Sequence, residues 1–267
     1  MKVSSVIGLV VAIAGLYIGA VMEGSNPMAV LSPSAMSIVL GGTLGATIIG
    51  TSFASVTGIP KLYVKAFNAE PIDLNAKVTE LVGYAEAARR DGLLALDEVT
   101  SSIEDPFTKK GLQLVVDGTD PDLVADILES ENDAMRKRHA AAVQPFDKAG
   151  GYAPTMGIIG TDFGLIHVLG NLDKPETLGP SISAAFVATL LGVASANVLY
   201  LPIGARLKQL SQDELHARAL IVEGILSIQA GDNPRVVQEK LITFVPPKQR
   251  LSEEQQAEAA AAAKAAA

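Results

Sequence analysis

Long stretches without charge organise this chain. Twenty uncharged residues run from Val3 to Met22, and 37 run from Gly24 to Pro60, of which roughly 34–54 read as one apolar span. Further on, residues 149–172 form a run of 24 with one charge, Asp162, and residues 177–205 form a run of 29 with none. A bilayer core of ~30 Å needs about 20 helical residues and penalises ions. The pattern therefore predicts an all-α membrane protein with four transmembrane helices, at about 3–22, 34–54, 152–171 and 182–203. They pair into two hairpins, one within residues 1–54 and one within 149–205. The first run follows Lys2 as a signal peptide would, but it is longer than a typical signal core and a second span follows almost at once.

Residues 55–148 read as a helical domain with no strand alternation. Asp73 can cap a helix through Val78, Leu81, Val82 and Ala85 that stops near Gly92. A short helix is expected over 93–103, Asp105-Pro106 opens another, and Asp120-Pro121 opens one through Leu123, Ile127 and Met135 that continues toward the third span. After the fourth span, residues 206–250 form C-terminal helices broken at Gly231-Asp232-Asn233-Pro234. Residues 251–267 are an Ala/Glu/Gln/Lys tail of low complexity.

Lys and Arg set the orientation. Residues 55–152 hold eleven of them, residues 203–267 hold eight, and the two hairpin loops hold only Lys174. Both loops are expected outside the cell, with both termini and the helical domain in the cytoplasm. The composition agrees, with 49% hydrophobic and 19% charged residues and a positive mean hydropathy.

Cysteine is absent and the three histidines, His139, His167 and His216, are scattered. Disulfides, thiolate metal sites and cysteine nucleophiles are thereby excluded, and no cofactor is expected. A net charge of −8 argues against a nucleic-acid partner. No nucleophile elbow, phosphate loop or dinucleotide fingerprint is present, so no enzyme chemistry has candidate residues.

The spans instead carry small residues at four-residue spacing: Ala153 and Gly157, Gly160 and Gly164, Ala184, Ala188, Gly192 and Ala196, and Gly41 and Gly45. Such stripes let helices approach closely where lipid supplies no hydrophobic drive. They serve either packing within the chain or contact with a partner helix. Pro154 and Pro202 bracket the second hairpin, each removing a backbone donor. Thr161 and Thr189 are hydroxyls inside the apolar spans. Each can satisfy itself on a carbonyl of the preceding turn, or the two can line a hydrated path.

The motifs AEAARRDGLLALDE at 85–98, GLQLVVDGTDPDLV at 111–124, GGYAPTMGIIGT at 150–161 and ILSIQAGDNPRVV at 225–237 resemble the A subunits of bacterial flagellar stators, the MotA/PomA family. The resemblance implies an ion-driven torque generator of the inner membrane, in which several A subunits, five in the expected pentamer, surround a B-subunit dimer carrying the ion-binding aspartate. It implies that Thr161 and Thr189 belong to the ion pathway, that Pro154 and Pro202 couple conformational change, and that Arg89, Arg90, Asp97 and Glu98 engage the rotor switch protein. Asp162-Phe163 departs from the family pattern. A mid-span carboxylate costs about 2.5–3.5 kcal/mol on insertion scales unless protonated, paired or facing water, which makes Asp162 a third candidate for the ion pathway. The transported ion is H⁺ or Na⁺: the two threonines fit sodium, whereas Ala188 lacks a hydroxyl that sodium-driven members often have, and the balance leans to protons. The alternatives are an ExbB/TolQ-like energising proton channel, disfavoured by the even span count, and a membrane scaffold without flux.

Overall fold

The computed structural model describes residues 2–251, and every regular element among them is helical. The expected tail, 251–267, lies outside the described residues apart from Leu251. The chain divides into two compact units: residues up to Glu70 with Arg138–Leu210, and Pro71–Lys137 with residues from Ser211 onward.

In the first unit, α1 (Lys2–Met22) is followed by a 3-10 turn, Pro27–Leu31, and then by α2 (Pro33–Met36), a π turn (Ser37–Gly41) and α3 (Gly42–Gly50) in one helical run. Short α4 (Phe53–Thr57) is capped by Ser52, whose hydroxyl accepts from the Ser55 amide at 3.1 Å, and leads into α5 (Ile59–Asn68). The unit also holds the later part of α9 (Pro121–Leu169), α10 (Pro175–Ala194), a π turn (Ser195–Tyr200) and the start of α11 (Leu201–Gln229).

Among the described residues, three helical runs are long and apolar enough to cross a membrane: Ser5–Met22, Pro33–Gly50, and an 18-residue window within Pro175–Gln229. The remaining expected span, 152–171, lies inside α9 but for its last two residues, and Asp162 and His167 interrupt its apolar run. Ala35 and Val39 of the α2 region are buried with Val187 and Ala188 of α10. Around α5, Ala66, Val143, Phe146, Ile203 and Leu207 form a second core, in which the Tyr63 and Phe146 rings lie 5.4 Å apart.

In the second unit the punctuation falls where the sequence places it. Asp73 accepts from the Ala76 amide at 3.1 Å and opens α6 (Leu74–Asp91). Asp105 accepts from the Phe107 amide at 3.2 Å and opens α8 (Pro106–Val116), and Asp120 accepts from the Asp122 amide at 3.0 Å at the start of α9. Each cap satisfies an amide that the first helical turn leaves unpaired. Asn233 does the same for α12 (Pro234–Ile242), after Gly231 turns the chain at φ +72°.

The core of this unit holds Leu81, Phe107, Leu112, Leu128, Leu220 and Ile225, each at most 2% exposed. Burying each such side chain contributes about 1.5–3 kcal/mol, which makes this core the main source of cohesion in the unit. Arg218 lies over the Phe107 ring at 4.4 Å and reaches Glu131 at 3.6 Å, so its charge is paired where its stem is buried.

Both short-range expectations hold, and the structure refines two details. Leu123 is 52% exposed, and the buried positions on α9 before Arg138 are Val124, Leu128 and Met135. Both Leu123/Ile127 and Val124/Leu128 keep a four-residue spacing, so periodicity alone does not choose between them. The helix expected over 93–103 is a 3-10 turn, Leu93–Ala95, followed by α7 (Leu96–Ser102), because Gly92 ends α6 at φ +85° and redirects the chain.

Candidate functional site

α9 and α10 meet along a seam of small residues. A Cβ on Gly157 would lie 2.8 Å from the Ala188 carbonyl oxygen, one on Gly164 would lie 2.4 Å from Ala185 Cβ, and one on Gly192 would lie 2.4 Å from the Ala153 carbonyl oxygen. The backbones therefore touch, and hydrogen at these positions is a packing requirement. Most of the stripe on α9 serves contact within the chain. Gly41 and Gly45 do not: a Cβ on either would meet nothing within 4 Å. On α10 the buried residue is Ala185, whereas Ala184 is exposed, another adjacent pair that spacing cannot resolve.

Thr161 and Thr189 meet in this seam. Their hydroxyls are hydrogen-bonded to each other, and both are half-buried. The Thr161 hydroxyl also has the Gly157 and Ala185 carbonyl oxygens within 3.1 Å, and the Thr189 hydroxyl has the Gly157 carbonyl oxygen at 3.3 Å. Each hydroxyl has one proton and two lone pairs. One threonine therefore donates to a carbonyl while the other donates to it, and the roles can exchange. Whichever way the pair is set, hydroxyl lone pairs remain to accept from water or to meet a cation. The sequence gives their depth, and the helix contact brings them together.

The two prolines lie close in depth. Pro154 is inside α9, and Pro202 is the second residue of α11, one residue after the π turn Ser195–Tyr200. Leu201 packs on Gly150, where an added Cβ would lie 2.3 Å from its side chain. Pro202 is thus level with a residue one helical turn, about 6 Å, from Pro154. A proline cannot donate to the preceding turn and its ring crowds that carbonyl, and the wider π turn before Pro202 accommodates both effects. The Tyr63 hydroxyl donates to the Leu199 carbonyl at 3.4 Å within this turn. On the same side of the seam Asp147 and Lys208 form an ion pair at 2.8 Å, a contact that sequence spacing does not signal.

Asp162 and Phe163 are exposed. At about 100° per residue, Asp162 lies roughly opposite the α9 face formed by Gly157, Gly160 and Gly164. The structure therefore does not bring it to the threonine pair.

In the second unit, Arg89 and Arg90 occupy the last turn of α6, and Asp97 and Glu98 the first turn of α7, all four exposed. The Arg90 guanidinium reaches the neighbouring Asp91 at 2.7 Å and holds that carboxyl below the usual carboxylate range. Thr100 donates to the Asp97 carbonyl at 2.8 Å and fixes the short helix.

Residues 99–219 match the MotA/TolQ/ExbB proton channel family. Motility protein A of Bacillus subtilis is 37% identical over 260 residues, covering 97% of this chain and 96% of that protein. The solved structure of C. jejuni MotAB superposes with a TM-score of 0.89 at 31% identity, covering 95% of this chain and 100% of the other. The flagellar MotAB stator complex from Bacillus subtilis gives 0.87 at 37% identity, covering 92% and 98%. Likeness at this level across nearly the whole length, together with the all-helical fold, places the chain in the MotA/TolQ/ExbB proton channel family, among the motility A proteins.

Proposed function

We propose that this chain is the A subunit of a flagellar stator, which with a B subunit couples transmembrane ion flow to rotation. The observation that carries the reading is the hydroxyl pair Thr161–Thr189 in a seam of apolar helices, in a chain that matches motility protein A over 97% of its length. A polar pair half-buried between apolar helices is a place where a passing ion or proton finds oxygen ligands. Oligomeric assembly around a B-subunit dimer, five copies to two, follows the family pattern. Four crossings in two hairpins fit the three apolar runs and the intervening part of α9, with both termini cytoplasmic. On this reading the hairpins lie within 1–54 and 149–205, and the segments at 55–148 and 206–250 are cytoplasmic.

Pro154 and Pro202 act as the flexible cytoplasmic mouth of the second hairpin. Asp162 is a second ion-handling group. An exposed carboxylate within a span, without a partner among the described residues, must find water, a cation or a proton in the assembled complex. Arg89, Arg90, Asp97 and Glu98 face the rotor switch protein. Full-length similarity to motility protein A favours the stator over an ExbB/TolQ-like channel.

Expression with the cognate B subunit in a strain lacking its own stator should restore swimming, and media with and without sodium should identify the ion. No rotation in either medium would remove the reading. In the same strain, Arg90→Glu combined with Glu98→Lys should lower torque while leaving membrane assembly intact, because exposed pairs contribute about 0–1 kcal/mol each and do not hold the fold. Unchanged torque would take these charges out of the rotor contact. For topology, a cysteine at Gly179 should label with an impermeant reagent in intact cells and one at Thr119 should not. The reverse pattern would defeat the orientation.

A further inference from the structure

The two short helices after the second apolar run carry their charge on the face that the fold leaves open. From Gly24 to Ala69 the only charged residues are Lys61 and Lys65, both on α5. Leu62, Tyr63, Ala66 and Phe67 turn into the core that α5 shares with α9 and α11. Lys61, Val64 and Lys65 stay outside, Val64 at 59% exposure, and Phe53 on neighbouring α4 is 68% exposed.

Two observations bear on what meets this face. The first is charge. Like charges four residues apart on a helix repel, and neither lysine has an acidic partner among the described residues. Lys65 stands in the last turn of α5, where the helix dipole favours a cation, but Lys61 stands in the first turn, where it does not. The second is level. The Tyr63 hydroxyl donates to the Leu199 carbonyl, in the π turn near the end of the fourth expected span, and α4 opens at Phe53 directly after α3 ends at Gly50. α5 therefore lies where the apolar runs end, at the height of lipid headgroups.

We propose that the open face of α5 lies on the cytoplasmic leaflet and binds anionic phospholipid. Lys61 and Lys65 meet the headgroup phosphates, while Val64 and Phe53 sit among the upper acyl carbons. The inference goes beyond the stator reading and rests only on taking the apolar runs as spans. Lysine stems cover apolar surface while their ammonium groups reach the polar layer, and a cation close to an anionic leaflet is attracted to it. A zwitterionic lipid offers the same apolar contact without net charge. Selection between the two lipids therefore reads the lysines and not the hydrophobic side chains.

The test uses the full chain purified with its cognate B subunit in phosphatidylcholine vesicles. These are doped equally with brominated phosphatidylglycerol or brominated phosphatidylcholine. The chain has no tryptophan, so Val64→Trp places one reporter on the face, read against the complex without it. Brominated phosphatidylglycerol should quench this reporter about threefold more than brominated phosphatidylcholine, and salt should shrink the excess. Adding Lys61→Gln and Lys65→Gln should make the two lipids quench equally, whereas Lys61→Arg with Lys65→Arg should keep the preference. Equal quenching with the lysines present overturns the proposal, as does a preference that survives the glutamine pair or high salt. So does quenching by neither lipid, which would mean that protein covers the face. Should the glutamine pair fail to assemble with B, the salt series on the lysine chain decides in its place. Val11→Trp, at a position 64% exposed on α1, separates the two readings. If neither lipid quenches it, the spans themselves are misread; if both do while Val64→Trp stays bright, the lipid site alone fails.

Discussion

Replacing Gly192 by valine should strip the chain from the membrane and abolish swimming. The first added carbon would sit 2.4 Å from the Ala153 carbonyl oxygen and 3.1 Å from Gly157 Cα. Both obstacles are backbone atoms of a helix, so no rotamer change relieves them. α9 and α10 would have to separate by an ångström or more along the seam that joins Thr161 to Thr189. Overpacking of this kind costs about 1–3 kcal/mol for a side chain that can move aside. Here nothing moves aside, and lipid gives the helices no hydrophobic reason to come back together. Gly192→Ala should show the same defect more weakly. Gly45→Ala should be silent, since its Cβ would meet nothing within 4 Å. The measurement is the amount of chain recovered from membranes when coexpressed with the B subunit. Wild-type recovery and swimming for Gly192→Val would show that the seam is looser than the structure has it.

That seam is the part of the site least legible in the sequence, although its ingredients are visible there. Three- and four-residue spacing marks Ala153, Gly157, Gly160 and Gly164 as a close-packing face without naming its partner. Gly41 and Gly45 show the same spacing, yet a Cβ added at either meets nothing within 4 Å among the described residues. Adjacent small or apolar residues defeat the pattern in the same way twice. Ala184 and Ala185 differ by one position, as do Leu123 and Val124, and in each pair the second residue is the buried one. Helix starts were legible because a carboxylate or amide side chain before a proline satisfies a definite unpaired amide, as at Asp105, Asp120 and Asn233. The π turns Ser37–Gly41 and Ser195–Tyr200 had no such signature. One extra residue in a turn leaves composition and periodicity almost unchanged, and only Pro202 marks the second of them. The exposure of Leu94 was hidden for a related reason: three leucines within four residues look like one apolar cluster until Gly92 sets the turn that divides them.

The hydroxyl pair gives the sharpest test of ion handling, because it can be removed without opening the seam. Thr161→Val and Thr189→Val together keep the branched shape and delete both hydroxyls. The Gly157 and Ala185 carbonyls lie within helices and keep their backbone partners, so no buried donor is stranded and the fold should persist. What disappears is the set of lone pairs and protons at the junction of two apolar helices. A single variant leaves one hydroxyl, which can still donate to the Gly157 carbonyl and still accept from a passing water or ion. Each single change should therefore slow flux less than the double. If the pair supplies one hydrogen bond to the permeating species at the barrier, its loss is worth about 1–1.5 kcal/mol, or roughly a tenfold fall in flux. Flux of the purified complex in vesicles and swimming speed should fall together, with membrane level unchanged. Double-valine flux equal to wild type would reduce the two threonines to a packing contact and move the search for the ion path to the opposite face of α9, where Asp162 is exposed.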